Sequence, residues 1–119
     1  MSGLKILCEE PNDGVVYFEL QGYLDISTFE ELEAVFEEHL SNEVYRFIIN
    51  LRRLEYISSA GAGVFIGAVG TCQDNGGNIV LVQPSQEAKD VFELLGVYLI
   101  FPVVHARSEA MEYLAREYG

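Results

Sequence analysis

A chain of 119 residues and 13.3 kDa has the length of one domain, and the expectation is a single domain over residues 1–119. Half of its residues are apolar, enough for a core without disulfide staples and too many for a disordered acidic tail. Seven Lys and Arg against 19 Asp and Glu leave a net charge of −12, which lacks the clustered cations that nucleic acid or an anionic membrane surface demands.

Leu4 to Glu9 reads as a strand closed by the turn residues Pro11-Asn12-Asp13-Gly14. Val15 to Gln21 is its partner, with Val16, Phe18 and Leu20 on one face and Val15, Tyr17 and Glu19 on the other, which predicts an antiparallel hairpin at a sheet edge. A first helix is expected from Ser27, because Ser27-Thr28-Phe29-Glu30 has the spacing of a capping box. Phe29, Leu32, Val35, Phe36 and Leu40 form its inward side. The acidic remainder (Glu30, Glu31, Glu33, Glu37, Glu38) is a solvated face that could also attract a basic partner.

Tyr45 to Leu51 encloses Phe47-Ile48-Ile49, the continuous apolar run of a strand covered on both sides. The short segment Leu54 to Ile57 leads into Ser58-Ser59-Ala60-Gly61 and a stretch, to about Gln73, that is apolar nearly all round and reads as a buried helix. Gly63, Gly67 and Gly70 recur in it at helical spacing. Each glycine costs a helix about 1 kcal/mol relative to alanine, so the stripe predicts a place where another backbone comes close.

After a turn at Asn75-Gly76-Gly77-Asn78, Ile79 to Val82 is a second buried strand. Ser85 is placed to cap a helix with Ala88, Val91, Phe92 and Leu95 inward and Gly96 at its end. Leu99 to Val104 reads as a last strand, which Pro102 makes short or peripheral. Ser108 is placed to cap a final helix with Met111, Leu114, Ala115 and Tyr118 inward. Helix and strand alternate strictly after the hairpin. The fold expected is an α/β sandwich with a mixed, mostly parallel sheet of four to five strands and about four helices.

Cys8 and Cys72 read as two reduced, half-buried thiols. The N-terminus carries no secretory pattern, and the apolar runs Gly61–Gly70 and Val97–Val104 are too short to cross a bilayer, so a cytoplasmic location is expected. His39 and His105 have no carboxylate or cysteine at ligand spacing, and the expectation is no metal and no cofactor. Nearly all the acids fall on helix exteriors, away from the apolar strand ends where paired carboxylates do catalysis.

Ser59 has the strand–turn–serine–helix layout of a hydrolase nucleophile, but Ile57 stands where the Gly-x-Ser-x-Gly elbow needs its first glycine. Gly61-Ala62-Gly63, with Gly67, imitates a dinucleotide loop without the acid about 20 residues on that holds a ribose. The chain is therefore not expected to be an enzyme. The Ser58-Ser59 pair differs, because free N–H groups and the positive end of the helix dipole converge where a helix begins. Most serines there are only caps. A phosphate there would nonetheless be tolerated by the fold, and would change the surface by about −1.5 to −2 charges.

The segment Asn50-Leu51-Arg52-Arg53-Leu54-Glu55-Tyr56-Ile57-Ser58-Ser59-Ala60-Gly61-Ala62-Gly63-Val64-Phe65 resembles the signature of the STAS domain (sulfate transporter and anti-sigma factor antagonist), in particular the stand-alone bacterial anti-sigma factor antagonists. Their motif runs Asp-Ser-Ser/Thr-Gly-Leu-Gly-Val after a buried strand. Gly22-Tyr23-Leu24-Asp25 matches the Gly-x-Leu-Asp that precedes the family's first helix. This chain has Ser58 for the motif aspartate, Ala60 for the second hydroxyl residue and Ala62 for the leucine.

The resemblance implies a phosphorylation switch. The unmodified antagonist binds a serine-kinase anti-sigma factor, phosphorylation ends binding, and a metal-dependent serine phosphatase restores it. Carried over by position, the phosphoacceptor is Ser59, with Ser58 the second candidate, and Asp25, Ser58, Ser59, Gly61 and Gly63 form the partner-binding surface. A monomer in the free form is expected, with no nucleic acid and no membrane among its partners. Two other readings are a constitutive STAS adaptor in a larger signalling or transport assembly, and a small-ligand or nucleotide binder using the helix start as an anion cradle.

Overall fold

Alternating faces and a left-handed glycine at the connection build the hairpin at the edge of the sheet. In the computed structural model, which describes residues 3–12, 14–96 and 98–119, β1 (Leu4–Asn12) runs antiparallel to β2 (Val15–Leu24). Gly14 lies in the connection at φ +79°, a conformation glycine adopts without strain. Asp13, expected in the same turn, lies outside the described residues. Pro11, also assigned to the turn, belongs to β1. An edge strand tolerates it because a proline there forfeits no ladder bond.

The other strands, β3 (Arg46–Asn50), β4 (Leu54–Ile57), β5 (Asn78–Val82) and β6 (Val103–Val104), pair in parallel, in the order β1-β2-β3-β5-β6. β4 stands off that path. β3 pairs with Val15–Glu19 of β2, and β4 takes over beside Gly22–Leu24. The sheet thus has six strands where four to five were expected, because the segment Leu54–Ile57 is itself paired. The last strand keeps two of the residues expected in it: Tyr98–Ile100 forms a 3₁₀ turn, and only Val103–Val104 follows Pro102 into the ladder. Val97 lies outside the described residues.

Helices α1 (Phe29–Ser41), α2 (Ser59–Asp74) and α3 (Gln86–Leu94) cover one face of the sheet, over Phe18, Leu20, Phe47, Ile49, Ile79 and Leu81. Helix α4 (Arg107–Tyr118) covers the other, over Val15, Tyr17, Ile48, Val80 and Val82. Double cover explains the unbroken apolar runs of β3 and β5. Rings of Phe18, Phe36, Phe47, Phe65, Phe92 and Phe101 join the three helices to the sheet, the Phe36–Phe47 centroids lying 5.1 Å apart at 73°. Edge-to-face pairs of this kind add about 0.5–1.5 kcal/mol each beyond burial.

Caps and faces depart from expectation at several points. Ser85 caps α3 as expected, accepting from the Ala88 N–H at 3.2 Å. The Ser27 box does not form; α1 starts at Phe29, because the Ser27 and Thr28 side chains bond within the preceding loop. Nor does Ser108 cap α4, whose N-cap is Ala106, two residues earlier. Arg107 is held in that first turn by the Tyr17 ring, 3.9 Å from its guanidinium carbon, and by both Glu9 carboxylate oxygens at 3.2 and 3.4 Å. Leu95 and Ala115, expected inward, are exposed, and Ala110 fills the place in the core under α4. Leu95 lies past the last residue of α3, as its C-cap, and Ala115 falls on the solvent side of α4.

Candidate functional site

Because β2 and β4 run side by side in parallel, their last residues, Leu24 and Ile57, are register partners and their following loops emerge together. The Ser58 N–H donates to the Leu24 carbonyl at 2.9 Å, tying the start of α2 to the end of β2. Ser58 is the N-cap, with φ −93° and ψ 171°; its Oγ accepts from the Gly61 N–H at 3.2 Å and its carbonyl from the Ala62 N–H at 2.9 Å. The N–H groups of Ser59 and Ala60 are left without an acceptor among the described residues. They form the open positive end of a 16-residue helix that has no acid in its first turn.

Ser59 is the first residue of α2 and is exposed, and its hydroxyl makes no hydrogen bond among the described residues. The two serines therefore separate cleanly: Ser58 is half-buried and occupied as a cap, Ser59 is free. Gly61 is buried. A Cβ there would lie 2.7 Å from Leu24 Cγ and 2.9 Å from the Leu24 carbonyl oxygen, so Gly61 lets the helix close onto β2 and presents nothing to the surface. Gly63 is exposed, with open space where its Cβ would be.

Asp25 follows Leu24 directly. Its Oδ1 accepts from the Ser27 hydroxyl at 2.7 Å and the Ser27 N–H at 2.9 Å, while its own N–H donates to Thr28 Oγ1 at 2.9 Å. Thr28 in turn donates to the Tyr23 carbonyl at 2.8 Å. The Ser27 hydroxyl, then the Ser27 N–H, hold the Asp25 carboxyl below its ordinary value. The loop thus fixes an ionised carboxylate beside the α2 start. It also presents Ile26, 75% exposed, and the register partners Tyr23 and Tyr56 are exposed at the adjoining strand ends. Sequence reasoning passed over these three; the signal was an aliphatic residue in an otherwise polar turn.

Asp25, Ser58, Ser59, Gly61 and Gly63 thus gather at one end of the sheet. The histidines stay apart: His39 packs against Phe18 and Phe47, and His105 sits exposed in a loop. Among the described residues no three His, Cys, Asp or Glu side chains are placed to hold a metal. The thiols are free, and neither is half-buried as expected. Cys8 is exposed, and Cys72 is buried, which pushes its pKa up to about 12. The stripe Gly63, Gly67, Gly70 admits no backbone of this chain, since an added Cβ at each meets nothing within 4 Å. No helix among the described residues is long and apolar enough to cross a membrane.

Residues 9–110 match the sequence model of the STAS domain, and the chain belongs to that family. Its sequence relatives include anti-sigma factor antagonists. BtrV of Bordetella bronchiseptica, provisionally assigned as one, is 34% identical over 98 residues, 82% of this chain and 84% of that protein. The anti-sigma-B factor antagonist of Staphylococcus epidermidis is 28% identical over 76 residues, 64% of this chain and 70% of that one. Among solved structures, an anti-sigma factor antagonist from Thermotoga maritima, also provisionally assigned, superposes with a TM-score of 0.82 at 26% identity, covering 93% of this chain and 95% of that one. Unphosphorylated SpoIIAA superposes with a TM-score of 0.83 over 94% and 97% of the two chains, and at 23% identity shows the shared fold.

Proposed function

We propose that this protein is an anti-sigma factor antagonist that binds a serine-kinase anti-sigma factor through the α2 start and is released when Ser59 is phosphorylated. A metal-dependent serine phosphatase would reset it. The observation that carries the reading is the division of labour between the two serines: Ser58 caps the helix, and Ser59 is exposed with a free hydroxyl at the open end of the dipole. Serine and aspartate are about equally good caps, so Ser58 in place of the motif aspartate keeps the helix start and removes only a charge. The same reading makes the chain a single-domain cytoplasmic binding module, monomeric when free, and not an enzyme. Its contacts would be Asp25, Ser58, Ser59 and Gly63, with Gly61 holding them in place.

The energetics suit a switch. Within the free protein a phosphate on Ser59 faces unpartnered N–H groups and the helix dipole, and is stabilised there. In a complex the same dianion is desolvated against the partner without a cation, at a cost of several kcal/mol. A loss of about 3 kcal/mol weakens affinity by roughly 10²-fold, enough to exchange partners. The test is binding of the purified cognate kinase to Ser59→Asp and Ser59→Ala, with intact-mass analysis of the native chain after kinase and ATP. Expected are one phosphate on Ser59, strong binding by the alanine variant and weak binding by the aspartate variant. Equal binding by the two, or a phosphate on Ser58, overturns the reading.

A further inference from the structure

Between α1 and α2 runs an open groove of about 270 Å³. Phe36, Val64 and Ala68 line it, Glu33 and Glu37 border it from α1, and Gly63 and Gly67 border it from α2. At a period of about 3.6 residues, Ser59, Gly63, Ile66, Gly67 and Gly70 share one face of α2, and all five are exposed. The face of the free serine therefore continues along the helix into the groove.

Two features of the groove have no use inside this chain. Glycines weaken a helix, yet a Cβ at Gly63 or Gly67 would meet nothing within 4 Å. Glu33 and Glu37, like charges one turn apart, repel each other, and neither has an ion-pair partner among the described residues. An occupant that uses both needs a close-approaching backbone, an apolar side and cations one turn apart. We propose that the α1–α2 groove docks a basic amphipathic helix of the anti-sigma factor, its Lys or Arg side chains meeting Glu33 and Glu37 and its backbone lying against Gly63 and Gly67.

This rests on the function proposed above and extends its contact surface from the α2 start along the length of the helix. Charge complementarity selects the occupant. A second copy would bring another −12 charges against this rim. A helix laid in a groove and read by residues one turn apart fits the geometry.

The test pairs a photo-crosslinker at Thr71, on the groove wall, with the affinity of the purified anti-sigma factor for Glu33→Lys/Glu37→Lys. A control with the same change of net charge, Glu87→Lys/Glu112→Lys, lies on α3 and α4. Expected are a crosslink to a segment with cations one turn apart and a loss of about 10-fold or more for the groove pair, steeper at low salt, against about 3-fold or less for the control. Equal losses for the two pairs, a crosslink to a second copy, or a crosslink to an acidic segment overturns the proposal. If Ser59→Asp abolishes binding while the groove pair leaves it intact, the groove assignment fails and the switch stands. If the groove pair loses affinity while Ser59→Asp binds as Ser59→Ala does, the groove stands and the switch fails.

Discussion

The same substitution should have opposite effects at two positions of α2 only two residues apart. At Gly61 an added methyl would sit 2.7 Å from Leu24 Cγ and 2.9 Å from the Leu24 carbonyl oxygen, which also accepts the Ser58 N–H. The side chain can yield by rotating, but the carbonyl can move only with β2. Overpacking of this kind costs about 1–3 kcal/mol, more than the gain of at most about 1 kcal/mol from replacing a helical glycine. Gly61→Ala should therefore destabilise the fold by up to about 2 kcal/mol. At Gly63 the methyl meets nothing, so only the propensity term remains and Gly63→Ala should stabilise by up to about 1 kcal/mol. Gly67→Ala should behave as Gly63→Ala does. Urea or thermal unfolding reads the difference, since 1 kcal/mol moves Tm by about 4 °C for a domain this size. Stabilisation by Gly61→Ala, or destabilisation by Gly63→Ala comparable to that expected at Gly61, would refute the packing argument at the α2 start.

Ser58→Ala removes the cap on Gly61 and should cost about 1 kcal/mol, whereas Ser59→Ala, touching nothing, should stay within about 0.5 kcal/mol of the parent in the same unfolding experiment. Ellman's reagent at pH 8 should titrate Cys8 in the folded protein and reach Cys72 only on unfolding. Cys8 should itself react sluggishly, because partial burial, with Glu10, Glu38 and Glu9 nearby, raises its pKa. The Asp25 carboxyl, held low by Ser27, should titrate below the ordinary 3.8 in an NMR pH series. A depressed folded pKa contributes stability above the unfolded value that is lost as pH falls through the folded one, so Asp25→Asn should flatten the acid limb of the stability curve below about pH 4.

What the sequence by itself determined follows from period and from local chemistry. Alternation set the hairpin and its two faces, and the unbroken runs at Phe47–Ile49 and Ile79–Val82 announced strands covered on both sides. Ser85, followed by Ala88 and Phe92, marked the start of α3 and its buried face. The Ser58-Ser59-Ala60-Gly61 run marked a candidate site by the chemistry of a helix start, and Gly22-Tyr23-Leu24-Asp25 joined it through the resemblance to the STAS motifs.

Tertiary structure decided what depends on a distant neighbour. Leu54–Ile57 is too short to declare itself and becomes β4 only because the upper half of β2 is free to pair. Ser27 and Ser108 have good cap chemistry, yet Asp25 takes the first hydroxyl and the Tyr17–Glu9 anchor of Arg107 starts α4 a residue ahead of the second. The glycines of α2 look alike in the chain. Only the position of Leu24 makes Gly61 a packing requirement and leaves Gly63 facing solvent. Likewise the adjacent serines differ because the Gly61 N–H points at one hydroxyl and not the other. A hydroxyl's freedom is set by the groups around it in space, which its neighbours in the chain do not specify.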